Sequence, residues 1–178
     1  MVSPTVLVRG QMKEEKLLKL LKALLANSRR SDRELAKAIK ASQPTVTRNR
    51  KILGKYIRSY TIVPEFSKIG YEILAFTFAK AKTYDKKTVD AKMPGAIEFF
   101  MKSPNVLFVS DGEGLGKDCA IISLHKDYSR YQNFMRSYIF YFTDTMSDFQ
   151  SFIVSLKTGL VMKPFDLSYL ADDVEGPL

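Results

Sequence analysis

Leu17, Leu20, Leu21, Leu24 and Leu25 recur at three- and four-residue steps, with Lys13, Lys16, Lys19 and Lys22 on the other faces. That spacing predicts an amphipathic helix from about Lys13 to a stop at Asn27-Ser28. Ser31-Asp32-Arg33-Glu34 has the capping-box arrangement, in which serine hydroxyl and glutamate carboxylate each satisfy a backbone N–H of the other residue. A second helix is expected to run to about Ile39 with Leu35, Ala36 and Ile39 inward, followed by a tight turn at Lys40-Ala41. Ser42 is a suitable N-cap for a third helix. Pro44 is tolerated in its first turn, where no intrahelical N–H bond is lost, and Val46 and Leu53 bracket its buried side.

From Tyr56 the period changes. Ile57, Tyr60, Ile62 and Val63 read as a short β-ribbon that ends at Pro64, and Ile69-Gly70 as a turn into a strand over residues 73–82. In that strand bulky Leu74, Phe76 and Phe78 alternate with small Ala75, Thr77 and Ala79. A helix follows over roughly residues 89–102, delayed or kinked by Met93-Pro94-Gly95, then strands over 106–110 and 119–125. A further helix opens at Asp127 and buries Tyr131, Phe134, Met135, Tyr138 and Phe142, and a last strand covers 149–156. The β-α-β-β-α-β alternation is the ferredoxin-like pattern, so the fold class expected is α+β. The acidic end, with Asp172, Asp173 and Glu175, is expected to fray.

Charge divides the chain along the same line. Residues 1–70 hold 16 Lys and Arg against 5 Asp and Glu, whereas residues 71–178 hold 12 against 14. The whole net charge of +9 therefore belongs to the helical N-terminal part. A basic helical module joined to a near-neutral partner domain implies a nucleic-acid reader attached to something that assembles or senses. The single cysteine, Cys119, excludes an intramolecular disulfide framework and suits a reducing cytoplasm. No apolar run approaches the ~18 residues that would span a bilayer, and the opening MVSPTVLVRGQM is too short and weakly apolar for a secretory signal.

Two helices joined by a turn, the second polar and basic, fit a helix-turn-helix whose second helix enters the major groove of double-stranded DNA. Arg48 and Arg50 could grip guanine or phosphate through paired N–H groups, and Gln43 could read adenine. Thr45 and Thr47 are short enough for the helix to approach the bases, and Ser42 with its neighbouring N–H groups faces a phosphate position. Lys51 and Arg50 have solvation alone as the competing role, and Arg33 on the second helix completes the expected DNA-binding set.

Residues 14–71 resemble the Lrp/AsnC (leucine-responsive, or feast/famine) transcriptional regulators. The matching elements are Arg33-Glu34-Leu35-Ala36, Ser42-x-Pro44-Thr45-Val46-x-Arg48, and Ile57…Tyr60…Gly70-Tyr71. The likeness continues more weakly to about Leu167, with a segment about two residues shorter between Arg48 and Ile57. It implies a winged helix-turn-helix over 1–63, a hinge over 64–72 and a ferredoxin-like assembly and effector domain over 73–178. It further implies a homodimer that can grow to tetramers or octamers, a cytoplasmic, nucleoid-associated location, and a small-molecule effector such as an amino acid. The family's effector loop falls on Asp111, Gly112, Gly114, Gly116 and Asp118, where Gly116 and Asp118 fit the pattern and Gly112 to Leu115 are additional. Glycine N–H groups there could approach a carboxylate and Asp118 an ammonium group, while a connection that binds nothing is the competing reading.

Other signals point away from catalysis. Gly112-Glu113-Gly114-Leu115-Gly116-Lys117 matches neither phosphate-loop pattern, because Asp118 follows the lysine and no helix follows. His125, the only histidine, stands at a strand end without a ligand cluster, and Cys119 opens a strand as a packing group. No cofactor, metal or catalytic residue is expected. The alternatives to a sequence-specific regulator are a non-specific DNA- or RNA-binding architectural protein using the same helices, and an enzyme or metabolite-sensing domain whose N-terminal helices are merely structural.

Overall fold

The structure, a computed structural model, describes residues 4–176, with side chains described from residue 14 onward. It falls into two compact units. One gathers the chain up to Val63 together with the segment from Lys163 onward; the other runs from Pro64 to Met162. The expected hinge thus belongs to the second unit. The last stretch belongs to the first unit and not, as the sequence pattern suggested, to the 73–178 domain.

In the first unit, α1 spans Pro4–Ala26, α2 Asp32–Ala38 and α3 Gln43–Leu53. Helix α1 begins nine residues before the expected Lys13, with Pro4 in the first turn where its missing N–H costs nothing. Leu17, Leu20 and Leu24 from α1, Leu35 and Ala36 from α2, and Val46 and Leu53 from α3 make one aliphatic core. The expected capping box is formed: Ser31 Oγ accepts from Glu34 N–H, and Glu34 accepts from Ser31 N–H at 2.7 Å. The Ser31 hydroxyl, which also donates to the Glu34 carboxylate, and then the Ser31 N–H hold that carboxyl below its usual pKa. Lys40 takes a left-handed φ of 52° in the turn between α2 and α3.

The β-ribbon expected at Ile57, Tyr60, Ile62 and Val63 is not formed; residues 57–65 are irregular. Turn hydrogen bonds from Tyr56 and Ile57 to the Leu53 carbonyl use up the residues after α3, which leaves only 57–63 before Pro64, too few for two paired strands and a turn, and an isolated hairpin is marginal in water. Tyr60 and Ile62 accordingly stay exposed, Ile62 by 78%. Toward the end of the chain, a 3-10 turn at Leu167–Tyr169 leads into the short α6, Leu170–Asp173, which runs beside α1 and buries Ala171. The acidic end is therefore anchored at least as far as Asp173 and not frayed there. Lys163 lies over the Tyr169 ring at 3.9 Å.

In the second unit a 3-10 turn at Phe66–Ile69 closes on Gly70, whose φ of 90° suits a residue without Cβ. Strand β1 (Ile73–Ala81), α4 (Lys86–Met101), β2 (Val106–Gly114), β3 (Lys117–His125), α5 (Tyr128–Phe142) and β4 (Met146–Ser155) follow. The sheet is antiparallel in the order β2-β3-β1-β4, which is the ferredoxin-like arrangement expected. Helix α4 starts earlier than predicted, because Asp85 caps it by accepting from Thr88 N–H at 2.9 Å. Pro94 stays inside this helix, and Gly95 makes room for Tyr141, whose hydroxyl lies 2.6 Å from where a Cβ would sit.

The alternation in β1 has a definite sense. Ala75, Thr77 and Ala79 are fully buried beneath the helices, while Leu74, Phe76 and Phe78 point to the opposite face. Small residues on the inner face leave room for the aromatic layer of Phe99, Phe100, Tyr138, Phe142 and Phe149. On the outer face the register sets Phe108, Ile122, Phe76 and Phe152 side by side across all four strands. Phe108 is 53% and Phe152 67% exposed.

Candidate nucleic-acid interface

Helix α3 turns its hydrophobic positions inward and its polar ones outward by the helical period. Val46, Asn49 and Leu53 are buried. Gln43, Thr47 and Lys51, one turn apart each, form the outer line with Pro44 and Arg48 beside it, and these five residues border one shallow concavity. Gln43, Thr47, Arg48 and Lys51 from the expected set are therefore brought together on one exposed, cationic face. Arg33 is exposed on α2.

The remaining expected residues are engaged within the unit. Ser42 caps α3 by position, but its side chain makes no cap bond; its hydroxyl meets that of Thr45 at 2.8 Å. Arg50 turns toward α2: its Nε lies 3.2 Å from Asp32 Oδ1, and a terminal N–H group donates to the Arg30 carbonyl at 3.0 Å. Thr47 donates to Asp32 Oδ2 at 2.5 Å. Asp32 was missed from sequence, since nothing local links it to a side chain 18 positions away. Asn49, only 2% exposed, was also missed, and its Oδ1 has no hydrogen-bond partner among the described residues. A second shallow concavity is bordered by Ser28, Arg29, Arg50, Tyr60, Thr61 and Ile62, so the irregular segment after α3 returns to the α1–α2 turn.

The glycine-rich stretch is a β-hairpin and not an open loop. Strands β2 and β3 continue to Gly114 and Lys117, leaving only Leu115 and Gly116, with φ of 56° and 67°, at the tip. The additional residues are absorbed as an irregularity between Asp111 and Gly114. Asp118 is already employed: it accepts from Ala81 N–H at 2.8 Å and from Tyr84 Oη at 2.9 Å. The backbone donor, followed by the phenol, holds its carboxyl below the usual range, and the Tyr84 phenol is raised in return. Beside it Lys117 pairs with Asp148.

Among the described residues no three His, Cys, Asp or Glu side chains cluster to hold a metal, and no helix is long and apolar enough to cross a membrane. Burial raises the Cys119 thiol above its ordinary pKa, which disfavours the nucleophilic thiolate.

Residues 13–55 match the family model described as winged helix-turn-helix DNA-binding. Comparison with curated protein sequences gives no significant match. Among solved structures, the transcriptional regulator NMB0573 of Neisseria meningitidis, in complex with L-methionine, is 19% identical with a TM-score of 0.70. That likeness covers 86% of this chain and 93% of the regulator. E. coli AsnC is 18% identical with a TM-score of 0.65, over 85% and 96% of the two chains. B. subtilis LrpC is 20% identical with a TM-score of 0.61, over 83% and 96%. The chain has the Lrp/AsnC regulator fold. The 13–55 match falls within the basic three-helix unit and takes in α2 and α3.

Proposed function

We propose that the chain is a sequence-specific DNA-binding transcriptional regulator that works as a dimer or a larger assembly. The observation that carries this reading is the single exposed face of α3, where Gln43, Arg48 and Lys51 converge within a module matched as DNA-binding. Long polar side chains on one helical face can reach base edges, and the surrounding positive charge supplies phosphate affinity. The outer sheet face supports self-association. A row of Phe108, Ile122, Phe76 and Phe152 across four strands is an apolar surface that a second copy would cover. A small-molecule effector would act at the hairpin carrying Asp111, Gly112, Gly114, Gly116 and Asp118. One structural relative was solved with L-methionine, and the Asp118 carboxylate retains acceptor capacity beyond its two present donors.

In vitro selection from a random duplex library tests the reading. The wild type should enrich a two-fold site whose halves lie about one helical turn, or a multiple of it, apart. Adding L-methionine or other amino acids should change the affinity for that site. Equal affinity for all duplexes at near-physiological salt would sink the regulator reading and favour non-specific coating, for which the basic N-terminal unit alone would suffice.

A further inference from the structure

We propose that Asp32, Thr47 and Arg50 form a brace that fixes the angle of α3 for base readout, so that Thr47 and Arg50 are positioning residues rather than readers. The proposal rests on the DNA-binding role argued above and adds how that site is held. The two oxygens of one carboxylate are divided between two side chains of α3: Oδ2 receives the Thr47 hydroxyl at 2.5 Å, and Oδ1 faces Arg50 Nε at 3.2 Å. Arg50 continues the connection to the Arg30 carbonyl, ahead of α2. Asp32 stands in the first turn of α2, where the helix dipole also favours a carboxylate. The brace therefore ties the start of α2 and the preceding turn to consecutive turns of α3.

Geometry explains why such a tie matters. Residues 39–42 alone connect α2 to α3, and the apolar contacts of Leu35, Ala36, Val46 and Leu53 can slide without losing their area. The hydrogen bonds from Thr47 to Asp32 and from Arg50 to the Arg30 carbonyl are directional and cannot slide, while Arg50 Nε meets Asp32 as an ion pair without hydrogen-bond geometry. Readout by bidentate contacts needs side chains held to about 0.5 Å and 10–20°, which hydrophobic contact alone does not set. The Arg50 and Asp32 side chains are 32% and 22% exposed, so their attraction is less screened than that of a free surface pair. A carboxylate otherwise opposes phosphate binding, and Arg50 neutralises it at the site.

The test compares affinity for the duplex enriched by the wild type with affinity for a scrambled duplex, at two salt concentrations. The ratio of the two affinities does not depend on the fraction of protein that is folded. Thr47→Val removes the hydroxyl at constant volume, Asp32→Asn removes the charge, and Thr47→Ser keeps the hydroxyl. Thr47→Val and Asp32→Asn should each lower the ratio about ten-fold, with the salt slope unchanged because no phosphate contact is lost. The double variant should lose little more than either single one, since both act through one brace, and Thr47→Ser should keep the wild-type ratio. An Asp32→Asn protein that retains full discrimination, or that binds both duplexes equally more tightly, overturns the brace. A wild type that discriminates no sequence at all overturns the regulator reading itself.

Discussion

The two units solve the problem of an outer surface in opposite ways. The N-terminal unit hides Leu17, Leu20, Leu24, Leu35 and Leu53 in one aliphatic core and turns Gln43, Arg48 and Lys51 outward. The sheet unit packs its smallest β1 residues, Ala75, Thr77 and Ala79, under the helices and turns Phe76 and Phe78 away from them. A cationic outer face suits a polyanion, where salt-dependent phosphate contacts supply affinity. An aromatic row on a sheet suits another protein surface, where removal of apolar area from water supplies it. Division of labour is thus written in which side chains each unit leaves uncovered, more than in which ones it buries.

The sharpest way to break the comparison is to place a charge on the aromatic row. Phe152→Asp should weaken self-association about a hundred-fold or more, roughly 3 kcal/mol, because a carboxylate would have to be buried without a partner. Light scattering over a concentration series reads this directly. A variant that assembles like the wild type would show that the outer sheet face is not where copies meet.

On the other unit, Arg48→Ala should cost ~1–3 kcal/mol of affinity for the enriched duplex if Arg48 reads a base. Lys16→Ala, exposed on α1, should cost almost nothing. Titration of both variants against one labelled duplex decides it, and equal losses would mean that overall charge, not the α3 face, governs binding.

The smallest effect concerns acid stability of the sheet unit. His125 is buried beside Tyr131 and Phe134 and shares a hydrogen bond of 2.9 Å with Ser123. Burial lowers its pKa, while Asp127 works weakly in the other direction. The unfolded chain therefore takes up this proton first as pH falls. The contribution to stability is complete above an unfolded-state pKa of about 6.5 and is lost as pH falls through the folded value. Urea unfolding of His125→Gln across pH should show a shallower decline on the acid side than the wild type; an unchanged slope would remove His125 from the account. The carboxylates of Asp118 and Asp148, whose pKa values are lowered by their donors, lose their contribution only at still lower pH in both proteins.

Local signals explain how much was legible in advance. Leucine spacing, the Ser31–Glu34 box and the cap at Asp127 act over one or two turns, so these helices can be read from residues that are neighbours in sequence. Asp85 shows the limit: its cap was overlooked in favour of Pro94, and α4 proved longer than the pattern suggested. The β-ribbon after α3 failed for the opposite reason. Of its apolar residues only Ile57 packs on the aliphatic core, Tyr60 and Ile62 stay largely exposed, and no second strand pairs with the segment.

By itself the sequence determined the three N-terminal helices and the order of elements from Ile73 to Ser155, the split between a basic helical unit and an aromatic-rich sheet unit, and the helix that carries the cationic residues. Tertiary structure decided what contacts distant in sequence decide. It chose which face of β1 is inward, because that depends on the helices above the sheet. It drew the segment from Lys163 onward to α1 rather than to the sheet. It divided the α3 side chains between an exposed line and a brace, because only the folded chain brings Asp32 to Thr47 and Arg50.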